Sequence, residues 1–130
     1  MSVMRKTIKA YGAPQAIGPY SQAVRVGGLL FLSGQIAIDP VTNDLAYGGI
    51  TVQVHQIFAN IRTILKSEDL DLDDVVKCTV FLADMNDFNK MNKAYGEYFK
   101  ENLPARSCIQ AAKLPRGADI EIEVIAAYPD

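Results

Sequence analysis

The sequence is poor in the residues that announce a metal centre or a nucleophilic enzyme: 130 residues include one histidine, two cysteines and no tryptophan. One imidazole cannot supply the paired ligands of a structural zinc site. His55 falls within a helical pattern, away from the apolar positions Ile57, Ile61 and Ile64, and reads as a solvated helix residue. Cys78 and Cys108 match no metal-ligand or redox spacing, so both are expected to be reduced and no metal is expected. Basic clusters are missing as well. Lys and Arg are scattered through a chain of net charge −2, which argues against nucleic acid as a partner, because phosphate neutralisation needs a basic stripe. No apolar run nears the roughly 20 residues of a membrane helix. Met1 to Ala10 are too polar for a secretory signal, so the expected location is the cytoplasm, with no membrane partner. No Walker-type or dinucleotide glycine fingerprint occurs.

The apolar supply is ordinary, at 49% hydrophobic and 22% charged residues, and residues 1–130 read as one domain with one core. Lys6 to Ala10 suggests a short first strand, and Gly12 to Pro19 a loop. Tyr20 to Val26 and Leu29 to Ser33 read as a hairpin closed by Gly27-Gly28, since glycine supplies the positive φ of a tight turn. A second turn follows around Asp39-Pro40 and Thr42-Asn43-Asp44. Apolar residues recur at helical steps from Ile50 to about Lys66 and again from Asp87 to about Glu101. Val75 to Ala83 is a near-continuous apolar strand. Arg106 to Ala112 and Asp119 to Ala127 read as two final strands flanking a Pro115-Arg116-Gly117 turn.

The order implies an α+β fold: a mixed sheet with both helices on one face. The other face is not polar enough to be left bare. Val75 to Ala83 places Val76, Cys78, Val80 and Leu82 in one alternating set and Val75, Phe81 and Ala83 in the other. In Asp119 to Ala127, Ile120, Ile122 and Val124 look like core, while Glu121, Glu123, Ile125 and Ala127 pass from charged to apolar. A strand apolar on both sides is covered on both sides, so self-association is expected.

Among residues able to do chemistry, Arg106 follows the stiff lead Leu103-Pro104-Ala105 and precedes a Glu121-Ile122-Glu123 strand. A guanidinium so held can grip a carboxylate through two parallel N–H bonds, although composition alone favours a surface salt bridge. Glu121 and Glu123 are, on spacing alone, a solvated strand face. Cys108 shares a strand face with Arg106 and reads as a small buried hydrophobe, with no histidine or cationic helix start placed to make it a nucleophile. Tyr20 is either an aromatic cap or a pocket wall. Ser33-Gly34-Gln35 ends a strand with N–H groups able to meet an anion. Asn92 interrupts the apolar stripe of the second helix and points to a polar group aimed into a pocket. Paired as a hairpin, the last two strands would hold Arg106 and Glu121 about 17 Å apart along the ladder, so one ligand would have to take them from different chains.

Five segments, in order, resemble the Rid family (YjgF-type reactive intermediate deaminases), in its RidA branch. They are Ala16-Ile17-Gly18-Pro19-Tyr20-Ser21-Gln22, Leu32-Ser33-Gly34-Gln35-Ile36, Asn86-Asp87-Phe88 with Asn92, Leu103-Pro104-Ala105-Arg106-Ser107-Cys108, and Leu114-Pro115 followed by Ile120-Glu121-Ile122-Glu123. The approach to Leu103-Pro104 is slightly short. The resemblance implies a chorismate-mutase-like fold, a homotrimer with clefts between subunits, and hydrolysis of 2-iminobutanoate and 2-iminopropanoate, or their enamines, to 2-keto acids and ammonia. No cofactor is implied. Arg106 would bind the carboxylate, Glu121 would position the water, the Cys108 backbone would orient the imine or water, and Tyr20, Ser33, Gly34 and Asn92 would line the cleft. The alternative is a regulatory or sensor protein that binds small carboxylates without turnover.

Overall fold

Gly27 takes φ +57°, and the chain reverses there between β2 (Ala23–Val26) and β3 (Leu29–Leu32), which pair antiparallel as the sequence predicts. The computed structural model describes residues 4–130; the first three residues of the Met1 to Ala10 stretch lie outside the described residues. The remaining elements are β1 (Arg5–Ile8), α1 (Ile50–Lys66), β4 (Val75–Leu82), α2 (Phe88–Tyr95), β5 (Ala105–Gln110) and β6 (Ile120–Ala127). The strands form one mixed sheet in the order β1-β2-β3-β6-β4-β5, with the two helices packed on it.

The helix-covered face is the core. Leu30, Val54, Ile57, Phe58, Ile61, Ile64, Val80, Leu82, Ile120 and Ile122 are all fully buried there. Two polar residues of α1 are buried with them. Gln53 donates to Asp119 Oδ2 at 2.7 Å and accepts from the Asp119 N–H at 3.1 Å, which fixes the start of β6 against the helix. Asn60 donates to the Ile38 carbonyl at 2.8 Å and anchors the loop before α1. No helix among the described residues is long and apolar enough to cross a membrane.

Four expectations need correction. The last two strands do not pair with each other. β4, whose core-facing Cys78, Val80 and Leu82 are wholly buried, takes the place between them, antiparallel to β6 and parallel to β5. The connection passes over the end of β4, with the Ala111 N–H on the Leu82 carbonyl at 2.8 Å and the Ala83 N–H on the Asp119 carbonyl at 2.9 Å. Burying a doubly apolar strand at the centre outweighs the locality of a hairpin. Second, a bulge between Val75 and Lys77 shifts the alternation, so Val75 joins the core and Val76 is 45% exposed.

Third, α2 ends at Tyr95, well before Glu101. From Gly96 the chain tightens, with the Glu97 and Tyr98 N–H groups on the carbonyls three residues back, as a glycine at a weak helix end allows. The periodic pattern was a packing signal: Tyr95, Tyr98 and Phe99 still gather around Phe58. Fourth, His55 is not simply solvated. Its Nδ1 lies 2.6 Å from the Tyr98 hydroxyl and its Nε2 3.5 Å from Glu97, tying α1 to the segment after α2.

No described element covers the opposite face of the sheet. Leu29 and Phe31 there are 39% and 42% exposed, and the register sets Ile125, Thr79 and Phe81 on the same side.

Candidate functional site

Arg106 stands opposite Cys78 in the β4–β5 ladder, so it projects toward the helices from an edge strand. Its Nη1 donates to Asn92 Oδ1 at 2.7 Å. Its guanidinium carbon lies 4.8 Å from the Tyr95 ring centre and 5.6 Å from that of Phe88. Among the described residues no carboxylate pairs with it. The surface salt bridge that composition favours is absent, and Arg106 is held entirely by neutral groups. Its charge is therefore uncompensated, which is what a carboxylate receptor requires. One of its five N–H donors is spent on Asn92 and the rest remain.

Cys108 lies on the same face, half-buried, and burial pushes its thiol up while Arg106 draws it back only in part. The sulfur is therefore a poor nucleophile. Its backbone differs. The Ala111 N–H points inward to Leu82, and successive peptide groups of a strand alternate in direction. The N–H and carbonyl of Cys108 consequently point away from β4, toward the free edge of the sheet.

Glu121 stands opposite Phe81 and so lies on the other face. The loop after β3 reaches it because the Gln35 and Ile122 backbones exchange hydrogen bonds at 2.8 and 3.0 Å. Gly34 then lies directly under the carboxyl group: a Cβ there would fall 2.7 Å from both Cδ and Oε2 of Glu121. The Ser33 hydroxyl donates to the Ser21 carbonyl at 2.6 Å, which ties this loop to the one carrying Tyr20. Gln22, buried, holds the latter through the carbonyls of Ala10 and Pro14 at 3.2 and 2.7 Å. Tyr20, Ser33, Gly34 and Glu121 thereby line one cleft of about 530 Å³, with Ile17, Ile36 and Pro115 among its apolar walls. Burial, and then the negative charge of Glu123, raise the proton affinity of Glu121 above that of an ordinary carboxylate.

The candidate residues thus form two groups in one chain. Arg106, Asn92 and Cys108 lie together at the β5 edge; Tyr20, Ser33, Gly34 and Glu121 lie together across the sheet. The levels of Cys78 and Phe81 along β4 separate Arg106 from Glu121 by roughly 10 Å, and two strand spacings separate them by roughly 10 Å more, with the side chains on opposite faces. The hairpin geometry that first suggested their separation is wrong; the separation rests on the central position of β4.

The sequence pattern hid some of these neighbours. Phe88 and Tyr95 read as helix core, yet they flank a cation. Asn43 and Arg116, both at positive φ (+64° and +57°), meet at the rim of the Glu121 cleft, where Arg116 donates to the Asn43 carbonyl at 3.3 Å. The Asn43-Asp44 and Arg116-Gly117 pairs were the available signals. Among the described residues, no cluster of three His, Cys, Asp or Glu side chains could hold a metal.

Comparison with known proteins is consistent along nearly the whole chain. The family profile described as Endoribonuclease L-PSP matches residues 11–128. A mouse protein named 2-iminobutanoate/2-iminopropanoate deaminase is 49% identical over 125 residues, covering 96% of this chain and 93% of that protein. A RutC family protein of Pyrococcus horikoshii is 49% identical over 123 residues, covering 95% and 98%. A Thermotoga maritima crystal structure, titled as a candidate endoribonuclease, superposes with a TM-score of 0.94 at 45% identity, covering 98% of this chain and 100% of that one.

Proposed function

Because this chain belongs to the endoribonuclease L-PSP family, the YjgF/Rid group, we propose that it hydrolyses 2-imino acids, 2-iminobutanoate and 2-iminopropanoate among them, to 2-keto acids and ammonia. The names its relatives carry include both nuclease and deaminase. The observation that favours the deaminase is the Arg106 seat: a guanidinium held by neutral partners and left free for a carboxylate. A net charge of −2 and a single, half-exposed histidine bound to Tyr98 do not suit a phosphodiester substrate.

The active unit in this reading is a homotrimer. The uncovered apolar face of one sheet packs on another, and each cleft takes Arg106, Asn92 and Cys108 from one chain and Tyr20, Ser33, Gly34 and Glu121 from the next. Arg106 grips the substrate carboxylate through two N–H bonds. The Cys108 carbonyl, at the free strand edge, receives the imine N–H. Glu121 takes a proton from water as the water oxygen adds to C2 of the protonated imine, giving a neutral carbinolamine. The proton held by Glu121 then passes to the amine, Glu121 takes up the hydroxyl proton as the C–N bond breaks, and keto acid and ammonia leave. The atoms balance with one water consumed. A carboxyl of raised proton affinity suits both steps, and imines hydrolyse readily in water, so orientation and proton transfer suffice.

The test couples a threonine dehydratase to this protein and follows 2-ketobutyrate release in the presence of an imine trap. Accelerated release that outruns the trap supports the deaminase; binding of keto acid with unchanged release would make the protein a carboxylate sensor instead.

Further results are expected. Phe31→Asp places a charge on the uncovered face and should convert the assembly to monomers in sedimentation; an unchanged assembly would remove that face from the interface. Hydrolysis should rise with pH as Glu121 ionises, through a range above that of a free carboxylate. Glu123→Gln should move that limb to lower pH by removing the neighbouring charge. The stability sign is opposite. A raised folded-state affinity favours the protonated form, so this contribution is full below the ordinary carboxylate range and is lost as pH rises through the raised value. Glu121→Gln should therefore melt higher than the wild type at neutral pH, with the gap closing in acid.

A further inference from the structure

Phe88, Asn92 and Tyr95 are spaced four and three residues apart and share one face of α2, the face beneath Arg106. The three contacts differ in kind. Asn92 fixes one nitrogen through a hydrogen bond at 2.7 Å. Phe88 approaches at 5.6 Å, a loose contact. Tyr95 lies closest as a ring, 4.8 Å from the guanidinium carbon. It is also the most firmly held of the three. It is 7% exposed, and its ring is fixed by Phe99 at 4.9 Å and by the edge contact with Phe58 at 5.7 Å.

Its hydroxyl is buried with no hydrogen-bond partner of sound geometry, and faces the Cys78 thiol. A core position would be better filled by phenylalanine, since an unpartnered hydroxyl is destabilising. It is the ring, not the hydroxyl, that approaches Arg106. Burial keeps the phenol protonated, so the platform stays neutral and does not cancel the charge of Arg106.

We propose that Tyr95 is a positioning residue for Arg106, a rigid aromatic platform that restricts the guanidinium to one orientation with its free N–H groups turned to the ligand. Tyr95 does not touch substrate. It acts by removing the rotamer freedom that a long, edge-strand arginine would otherwise lose only on binding. The inference rests on the reading of Arg106 as carboxylate receptor, and two kinds of measurement separate them.

The first is kinetic, in the coupled imine assay. Tyr95→Phe keeps the ring and should leave KM within about twofold of wild type while melting higher. Tyr95→Leu should raise KM about tenfold with kcat changed much less, the pattern of lost binding rather than lost chemistry. Leu65→Ala removes a buried side chain from the last turn of α1, outside the rings that hold Tyr95, and should lower the melting temperature without moving KM. The second is independent of activity: the Arg106 Nε–H resonance should be shifted upfield by the Tyr95 ring in wild type and Tyr95→Phe, and return to the position of a free arginine in Tyr95→Leu. An unmoved resonance and KM in Tyr95→Leu, or an equal KM rise in Leu65→Ala, would overturn the role. Absence of turnover in the wild type with the resonance behaving as described would instead overturn the deaminase reading and leave the platform standing.

Discussion

Asn92→Asp is expected to lower kcat/KM for 2-iminobutanoate by about a hundredfold to a thousandfold while leaving the fold intact, matching Arg106→Ala in effect. The two substitutions differ by design. Arg106→Ala deletes the proposed receptor. Asn92→Asp keeps every atom of it and places a carboxylate 2.7 Å from Nη1, where the amide oxygen now sits. The new ion pair occupies the guanidinium and cancels the charge that the substrate carboxylate needs. Because the pair forms at an exposed edge, it should change stability little. Saturation kinetics and melting curves on both variants check this; a fully active Asn92→Asp would mean that Arg106 is not the carboxylate receptor. Cys108→Ala should stay near wild-type activity, since only the backbone of that residue faces the free edge.

Gly34→Ala is expected to lower kcat about a hundredfold with little change in KM. A methyl group at that position would lie 2.7 Å from the Glu121 carboxyl carbon and from Oε2, and 3.0 Å from Cγ. The backbone there needs no glycine, so the fold pays no conformational penalty. The carboxylate must move instead, and displacement of a catalytic group by about 1 Å costs rates of this order. The proposed carboxylate receptor, Arg106, lies in the other group of residues and is untouched, hence the split between kcat and KM. Crystallography of the variant would show whether Glu121 has swung away; an unmoved carboxyl with full activity would separate Glu121 from catalysis.

The legible and illegible parts of this fold divide on physical lines. Patterns that depend on local periodicity were readable: α1 runs from Ile50 to Lys66 where the apolar steps begin and end, and the Gly27-Gly28 hairpin forms as its turn chemistry requires. The uncovered sheet face was readable from Phe81 and from the change in character along Glu121, Glu123 and Ile125. The partner of each strand was not. Nothing local in Arg106 to Ala112 distinguishes pairing with β6 from a parallel crossover onto β4, and competition for the centre of the sheet decided it. The bulge at Val76 and the early end of α2 are likewise tertiary outcomes.

The site divided in the same way. Asn92 stood out because it interrupts an apolar stripe, Arg106 because of the stiff Leu103-Pro104-Ala105 lead before it, and Glu121 because it opens a strand face that turns apolar. Tyr95 did not, because an aromatic on an apolar stripe looks the same whether it fills a core or carries a cation. Gly34 stood out only as part of Ser33-Gly34, and its contact with Glu121 depends on the Gln35–Ile122 pairing, which joins segments far apart in sequence.

The proposed division of the site between two chains is tested most directly by complementation. Arg106→Ala and Glu121→Ala chains, each inactive alone, are co-expressed with different affinity tags, and assemblies carrying both tags are isolated. In any mixed ring of three, one cleft joins an intact Arg106 to an intact Glu121, so activity should return to about a third of wild type, with the wild-type KM. Mixed assemblies as inactive as either parent would contradict the division and require both residues to act from one chain.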